Sequence, residues 1–204
     1  MMKAIPFALF VGLLLVGCEQ SSTHSDPVDS PKAIDLDDPT IDLDEPETRD
    51  KIIAEAIDVN TLQKRGKKGE ELYYAPNQQT PHTGWVKEMY DNGQIARLAQ
   101  YKDGKQDGLT MGWYENGQKW YEENFKDDMW HGLQTMWYEN GQKKKEGNYK
   151  EGKEDGLHTS WYENGQKTEE ENYKDGKWHG LQIGWYEDGT EAGRRTFKNG
   201  EPVD

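Results

Sequence analysis

A repeated row of histidine and aspartate residues is the first feature of the sequence that could do chemistry. His131 and His179 each follow a tryptophan, and Asp107 and Asp155 stand 24 residues before them. Such a row offers metal ligands or proton carriers. Equivalent positions on neighbouring β-hairpins, however, lie roughly 10 Å apart, whereas a Zn–N bond measures about 2.0–2.1 Å. We therefore expect turn or surface histidines, His158 included, and neither a metal site nor a cofactor.

A second repeated set consists of carboxylates at Glu115, Glu139, Glu163 and Glu187. Two carboxylates about 5–9.5 Å apart in a cleft can hydrolyse a glycosidic bond, so an envelope hydrolase is one hypothesis. A carboxylate copied into every unit is more typical of a turn or of solubility than of one active pair. The chain also lacks a nucleophile elbow, a phosphate-binding loop and a His-x-x-x-His motif. These observations favour a protein that is not an enzyme.

The single cysteine, Cys18, follows a short basic start and an apolar run. The run is shorter than the roughly 20 residues of a membrane span and is typical of a secretory signal. Leu15-Val16-Gly17-Cys18 resembles the lipobox of bacterial lipoproteins. That resemblance implies cleavage after residue 17, lipid on Cys18 and anchoring in the cell envelope. Glu19, which is not Asp, favours the outer membrane by the sorting rule of enteric lipoproteins.

Residues 18–50 are predicted to form an acidic, proline-rich tether. Asp35-Leu36-Asp37-Asp38-Pro39 is nearly repeated by Asp42-Leu43-Asp44-Glu45-Pro46. Like charge, low hydrophobicity and proline together favour an extended, disordered spacer. The acids lack the glycine turn and the ligand spacing of an EF-hand Ca²⁺ loop. Residues 51–71 are predicted to contain a short helix and a turn.

Residues 72–204 repeat with a period of 24. Three markers keep this period: a Gly series (84, 108, 132, 156, 180), a Lys-Asp-Gly-like series from Lys102, and Asn-Gly or Asp-Gly pairs. Because Asn-Gly accepts positive φ at both central turn positions, it predicts β-hairpins with type I′ turns. The predicted turn residues are Asn92, Gly93, Asn116, Gly117, Asn140, Gly141, Asn164, Gly165, Asp188 and Gly189. We therefore predict an all-β repeat array of antiparallel hairpins that begins with a strand at Leu72-Tyr73-Tyr74. The Lys126-Asp127-Asp128 turn, which lacks its glycine, is expected to be distorted.

Strand alternation predicts two faces. One carries tryptophans with Leu and Met neighbours, such as Leu109, Met111 and Trp113, and is expected to be the packed face. The other carries a tyrosine row and is a candidate binding surface, although the same rings could simply stabilise the sheet through cross-strand pairs. The candidate binding residues are Tyr90, Tyr114, Tyr138, Tyr162 and Tyr186. The second strands add aromatics that are expected to form ladders with rungs roughly 10 Å apart, at Tyr101, Phe125, Tyr149, Tyr173 and Phe197.

The pattern Trp-Tyr-x-Asn-Gly-Gln-Lys followed by Tyr-Lys-x-Gly-x-x-x-Gly resembles the bacterial MORN-repeat variant family. The resemblance extends from about Leu72 to the C-terminus and implies an interaction or scaffold module. Some relatives are labelled antitoxins, which implies a cytoplasmic partner, whereas the lipobox implies the envelope.

The composition limits the classes of partner. The formal net charge is −14, which disfavours nucleic acid and anionic lipid headgroups. The sequence therefore predicts a membrane-tethered, non-enzymatic interaction module whose partner is a protein or an envelope glycan. The alternatives are an antitoxin-like or immunity protein that sequesters a toxic partner, and the envelope hydrolase above.

Overall fold

The structure is a computed structural model that describes residues 41–203. The predicted signal peptide, Cys18 and most of the predicted tether lie outside the described residues. Within residues 41–203, no helix has both the length and the apolar character needed to cross a membrane.

A short helical segment precedes the repeats. Helix α1 spans Pro46–Glu55, so it begins inside the stretch that the sequence assigned to the tether. Proline is favoured at a helix start because the first N–H groups have no intrahelical partner, and Glu47 in the first turn complements the helix dipole. Strand β1 (Ile57–Asp58), a 3-10 helix (Val59–Thr61) and strand β2 (Gln63–Arg65) follow.

Strand β3 (Leu72–Tyr74) does not begin the long sheet, contrary to the sequence-based expectation. It pairs antiparallel with β2 in a separate two-stranded sheet. Backbone hydrogen bonds join it to the first hairpin of the long sheet, from Tyr73 N–H to the Gly104 carbonyl (2.9 Å) and from His82 N–H to the Tyr73 carbonyl (2.8 Å). The β2–β3 hairpin is therefore an addition to the repeat array and not its first rung.

The remaining strands form the predicted all-β meander, in a single sheet of 14 strands. Strand β1 pairs in parallel with β4, and each later strand along the main path is antiparallel to its neighbours. The strands are β4 (Gly84–Met89), β5 (Ile95–Lys102), β6 (Lys105–Trp113), β7 (Lys119–Lys126), β8 (Met129–Trp130), β9 (Gly132–Trp137), β10 (Lys143–Lys150), β11 (Lys153–Trp161), β12 (Lys167–Lys174), β13 (Lys177–Trp178), β14 (Gly180–Trp185), β15 (Glu191–Lys198) and β16 (Glu201–Val203).

The Asn-Gly turns are not type I′, which corrects the sequence-based prediction. Gly141 has φ +83°, but Asn140 is absent from the residues with positive φ, and the other Asn-Gly and Asp-Gly pairs of this series behave alike. Gly141 N–H donates to the Tyr138 carbonyl and Tyr138 N–H donates to the Gln142 carbonyl, both at 2.9 Å. This is a three-residue loop that ends on a left-handed glycine. One glycine per turn is enough because only the last loop residue needs positive φ.

The type I′ geometry occurs instead at the second series of turns. Glu151 and Gly152 have φ values of +51° and +75°, and the corresponding residue pairs are alike. The turn at Asp127 and Asp128 keeps the pattern, with φ of +49° and +65°, so the expected distortion is not seen. Asp128 N–H donates to the Gln106 carbonyl at 2.9 Å, and the Asp128 carboxylate accepts from Gln106 N–H at 2.7 Å. These bonds hold a non-glycine residue in a backbone conformation that it otherwise adopts rarely.

The core is concentrated where the N-terminal segment covers the first strands. On one face, Leu98, Met111 and Trp113 are buried, and Leu43 and Ile52 of the N-terminal segment are buried as well. On the other face, a buried cluster packs against the 3-10 helix and β3, and it consists of Val86, Ala99 and Tyr101 with Val59, Leu62 and Tyr73. Among residues 41–203, the later hairpins bury few hydrophobic side chains.

Candidate functional site

The face that carries the tryptophans, here the tryptophan face, combines apolar and charged side chains. Each lysine at the start of a second strand lies over the tryptophan ring of the next unit: Lys119 is 5.0 Å from the Trp137 centroid and Lys143 is 5.9 Å from the Trp161 centroid. The same lysines pair with a glutamate three residues later, as in Lys119–Glu122 at 2.9 Å. Cation–π contacts of this kind stabilise by about 0.5–1 kcal/mol at exposed sites.

Within the described part of the chain, the N-terminal segment covers the first part of the tryptophan face. Lys87 Nζ donates to the Ile53 carbonyl at 2.6 Å, and Lys119 Nζ pairs with the Asp44 carboxylate at 2.8 Å. Beyond these contacts the face is open: Leu133, Leu157 and Leu181 are 45%, 48% and 39% exposed. The expectation that this whole face is the packed side was therefore wrong for the later units, because within residues 41–203 the covering elements lie over the first strands.

The opposite face, here the ladder face, carries the aromatics of the second strands. Their rings do not stand alone at 10 Å intervals, because side chains of the intervening strands lie between them. Trp130 lies 5.0 Å from Tyr149, and Trp178 lies 5.0 Å from Phe197. Phe125 and Trp130 are register partners across the type I′ turn. Since partners in an antiparallel pair share a face, the two rings meet. The sequence analysis did not use the pairing of these two positions across the turn, which could have predicted the contact.

His158 is part of this ladder and is not a surface residue, which corrects the expectation. It is 1% exposed and lies 5.1 Å from Tyr149 and 5.0 Å from Tyr173, measured between ring centroids. Its Nε2 is 2.8 Å from the Asn148 carbonyl oxygen. Its register partner, Gly147, lies so close that a Cβ atom there would be 2.2 Å from His158 Nδ1. The missing side chain at residue 147 therefore makes room for the imidazole ring.

The predicted tyrosine row lies at the hairpin ends, and its hydroxyl groups bond to the protein. Tyr114 Oη donates to the Trp137 carbonyl at 2.8 Å, and Tyr138 Oη donates to the Trp161 carbonyl at 2.8 Å. Tyr90 and Tyr162 donate in the same way to the carbonyl groups of Trp113 and Trp185, each in the next unit. Tyr186, in the last unit, is 60% exposed. Burial, and then the charges of Glu139 and Glu163, raise the pKa of Tyr114 above its ordinary value. These tyrosines connect successive units, and their rings border the turn edge of the sheet.

The histidine–aspartate row is not brought together. Asp107 pairs with Lys126 at 2.8 Å and accepts from Asp127 N–H. Burial alone would raise the pKa of Asp107, but the bonds from Lys126 and Asp127 lower it overall. Among residues 41–203, no three His, Cys, Asp or Glu side chains are grouped as metal ligands would be. The repeated glutamates, Glu115 to Glu187, are exposed beside the turns.

Comparison with known proteins agrees with this geometry. Three segments of the chain, residues 106–127, 130–151 and 154–175, match the MORN repeat variant. These segments correspond to successive pairs of strands in the centre of the sheet. No curated protein matches the chain. The chain therefore contains MORN-type repeats, and such repeats indicate an interaction or scaffold module.

Proposed function

We propose that this protein is a non-enzymatic interaction module tethered to a membrane by lipid on Cys18, with the repeat sheet as its binding element. Its partner is a protein or an envelope glycan. The observation that carries the proposal is the exposure of apolar and aromatic side chains on both faces of the later hairpins. Isolated exposed hydrophobic residues are ordinary on a protein surface, but contiguous ones mark interaction sites.

The exposed residues form rows because the repeat places equivalent side chains in neighbouring units. On the tryptophan face the row contains Leu133, Leu157 and Leu181, and on the ladder face Trp130 and Trp178 are each 39% exposed. The leucine row crosses three hairpins and suits an extended partner, whereas Trp130 and Trp178 lie two units apart with Glu154 at the intervening position. The exposed ring of Tyr186 provides a further contact at the turn edge.

The proposed anchor rests on the lipobox-like sequence Leu15-Val16-Gly17-Cys18. Two acyl chains are enough for stable attachment to a bilayer, and a lipoprotein cysteine carries its own chains beside the acylated amine. The acidic stretch between Cys18 and α1 would hold the sheet away from the membrane surface. We propose the bacterial cell envelope, with the outer membrane as the site of attachment.

The test combines fractionation with affinity capture. Cys18→Ser should move the protein from the membrane fraction to the soluble fraction and should abolish labelling by a radioactive fatty acid. A triple variant with Thr at Leu133, Leu157 and Leu181 should fold, because these side chains are exposed, and should capture less partner from envelope extracts. Membrane retention of Cys18→Ser without acyl label would contradict the anchor. Capture that is unchanged in the leucine variant, and also in a variant of the ladder face, would contradict the binding role of the sheet.

A further inference from the structure

An open cleft lies on the ladder face near the C-terminal end of the sheet. Its floor is a row of register partners across β12, β14 and β15, namely Glu169, Gly184 and Gly193. The next row contains Glu171, Gln182 and Arg195, and Phe197 closes the cleft on the far side. The cleft has a volume of about 330 Å³.

The same position two repeats earlier is filled. There the corresponding cleft has a volume of about 40 Å³ and is lined by Met136 and Lys145, which stand where the later cleft has Gly184 and Gly193. Glu123 and Gln134 correspond to Glu171 and Gln182, so this polar pair is kept. The later cleft therefore lacks the two side chains that fill the earlier one, and it carries the charged residues Arg195 and Glu169 where the earlier one has Gly147 and Tyr121.

The two glycines are not required by the backbone or by close packing. Neither Gly184 nor Gly193 has a positive φ. A Cβ atom at Gly193 would meet nothing within 4 Å, and one at Gly184 would meet only the Thr168 carbonyl oxygen at 3.9 Å. Glycine weakens a strand and often marks a place where a ligand approaches the backbone. At Gly147, in contrast, the side chain of His158 fills the space.

The lining combines a flat apolar part with free polar groups of both signs. Phe197 is buried beside the cleft, and Trp178 packs on it at 5.0 Å. Gln182 Nε2 donates to the Glu171 carboxylate at 2.9 Å, which fixes both side chains. Arg195 and Glu169 form no ion pair among residues 41–203, whereas the neighbouring Arg194 is paired with Glu191. The cleft thus offers hydrogen-bond donors and acceptors, with the carboxylates of Glu169 and Glu171 and the guanidinium of Arg195 as its charged groups.

We propose that this cleft binds one pyranose ring of a glycan, an inference that rests on the proposed function as a binding module. A sugar ring presents C–H groups on its faces, which suit the bare glycine backbone and the aromatic wall. Its hydroxyl groups both donate and accept, so they match Arg195 and Gln182 as donors and Glu169 and Glu171 as acceptors. The volume is at the lower end of the roughly 300–1,000 Å³ of small-molecule sites, which suits a single ring of a longer chain.

The test fills the cleft with the residues of its own filled counterpart. The double variant Gly184→Met, Gly193→Lys should fold, because the equivalent positions already carry Met136 and Lys145. The full chain in detergent is titrated with tetrasaccharides of glucose, of N-acetylglucosamine and of galacturonic acid, with NMR detection of the Trp178 indole N–H. We expect at least one tetrasaccharide to shift this signal in the wild type and to bind the double variant at least tenfold more weakly. Glu139→Gln, at an exposed turn outside the cleft, is the control and should bind like the wild type.

The outcomes separate this inference from the proposed function. Equal binding to wild type and double variant, or no binding of any of the three tetrasaccharides to the wild type, overturns the glycan site. If the wild type then still captures a protein from envelope extracts, the interaction module stands and its ligand is not a sugar. If the double variant also loses that protein, the cleft is a protein contact, which equally rejects the sugar.

Discussion

The hydroxyl group of Tyr114 donates a hydrogen bond of 2.8 Å to the backbone carbonyl of Trp137, in the next repeat unit. The bond recurs from Tyr90 to Trp113 at 2.6 Å, and its partners are always 23 residues apart. Each unit is thereby fastened to its successor at the turn edge, in addition to the strand ladder. In a repeat protein whose units contact only their neighbours, such bonds contribute directly to the coupling between units.

Removing these hydroxyl groups should weaken the array. A triple variant with Phe at Tyr114, Tyr138 and Tyr162 keeps the rings and loses three hydrogen bonds, each with a net value of roughly 0.5–1.5 kcal/mol. Partial exposure places the expected loss towards the lower end of that range per bond. Urea unfolding followed by tryptophan fluorescence measures the effect. Tyr186→Phe, whose ring is exposed beyond the last such contact, is the control, and an unchanged midpoint in the triple variant would show that the bonds add nothing.

Replacing a long side chain at a left-handed turn position should stabilise the protein. Glu151 has φ +51° in its type I′ turn, where Asn and Asp are the favoured residues apart from glycine. Glu151→Asn should therefore raise the free energy of unfolding by a few tenths of a kcal/mol to about 1 kcal/mol. Glu163→Asn provides the control, because Glu163 is not among the residues with positive φ. If Glu163→Asn raised the thermal stability more than Glu151→Asn did, our assignment of the type I′ turns to the series that contains Glu151 would be wrong.

Two glycines on the ladder face should respond differently to the same small change. Gly147→Ala would place Cβ 2.2 Å from His158 Nδ1, whereas Gly193→Ala meets no atom within 4 Å. Overpacking of this kind costs typically about 1–3 kcal/mol, so Gly147→Ala should lower the melting temperature by several degrees and Gly193→Ala should not. The double variant Gly147→Ala, His158→Ala should recover part of the loss if the clash with the imidazole is its cause.

The half-buried carboxyl group of Glu123 should make stability depend on pH. Burial raises the pKa of Glu123 above its ordinary value, which outweighs the hydrogen bond from Trp130 and the charge of Arg97. The folded state therefore favours the neutral form, and this contribution is present below the ordinary pKa of a glutamate and is lost as the pH rises through the folded-state pKa.

Glu123→Gln should consequently be more stable than the wild type at pH 7, because the amide keeps an acceptor for Trp130 and carries no charge. The difference should shrink towards about pH 4, where the wild-type carboxyl group is largely protonated. Thermal melts across this pH range measure it, with the exposed Glu187→Gln as the control. A variant that is less stable than the wild type at pH 7 would mean that the ionised form is the favoured one.

Local sequence rules were sufficient to predict the repeated hairpin sheet. Three features depend on neighbours close in sequence: the 24-residue period, the glycine-containing turns and the alternation of side chains. Each recurs in several units, so the sequence alone was enough to predict it. The resemblance to MORN-type repeats rested on the same residues, and three matched segments agree with it. These properties are local because a hairpin turn fixes the pairing of the strands on either side of it.

Tertiary structure alone decided how the faces are used. Bulges shift the register between strands, as between Gly147 and Tyr149, and only the resulting register shows that His158 lies between two tyrosine rings. The covering of the first strands by the N-terminal segment depends on contacts between residues far apart in sequence, and the cleft above Gly184 depends on which side chains three neighbouring strands bring together. A side-chain period of two assigns residues to faces, but it does not state which elements cover a face or which missing side chain leaves a space. Those outcomes follow from packing in three dimensions.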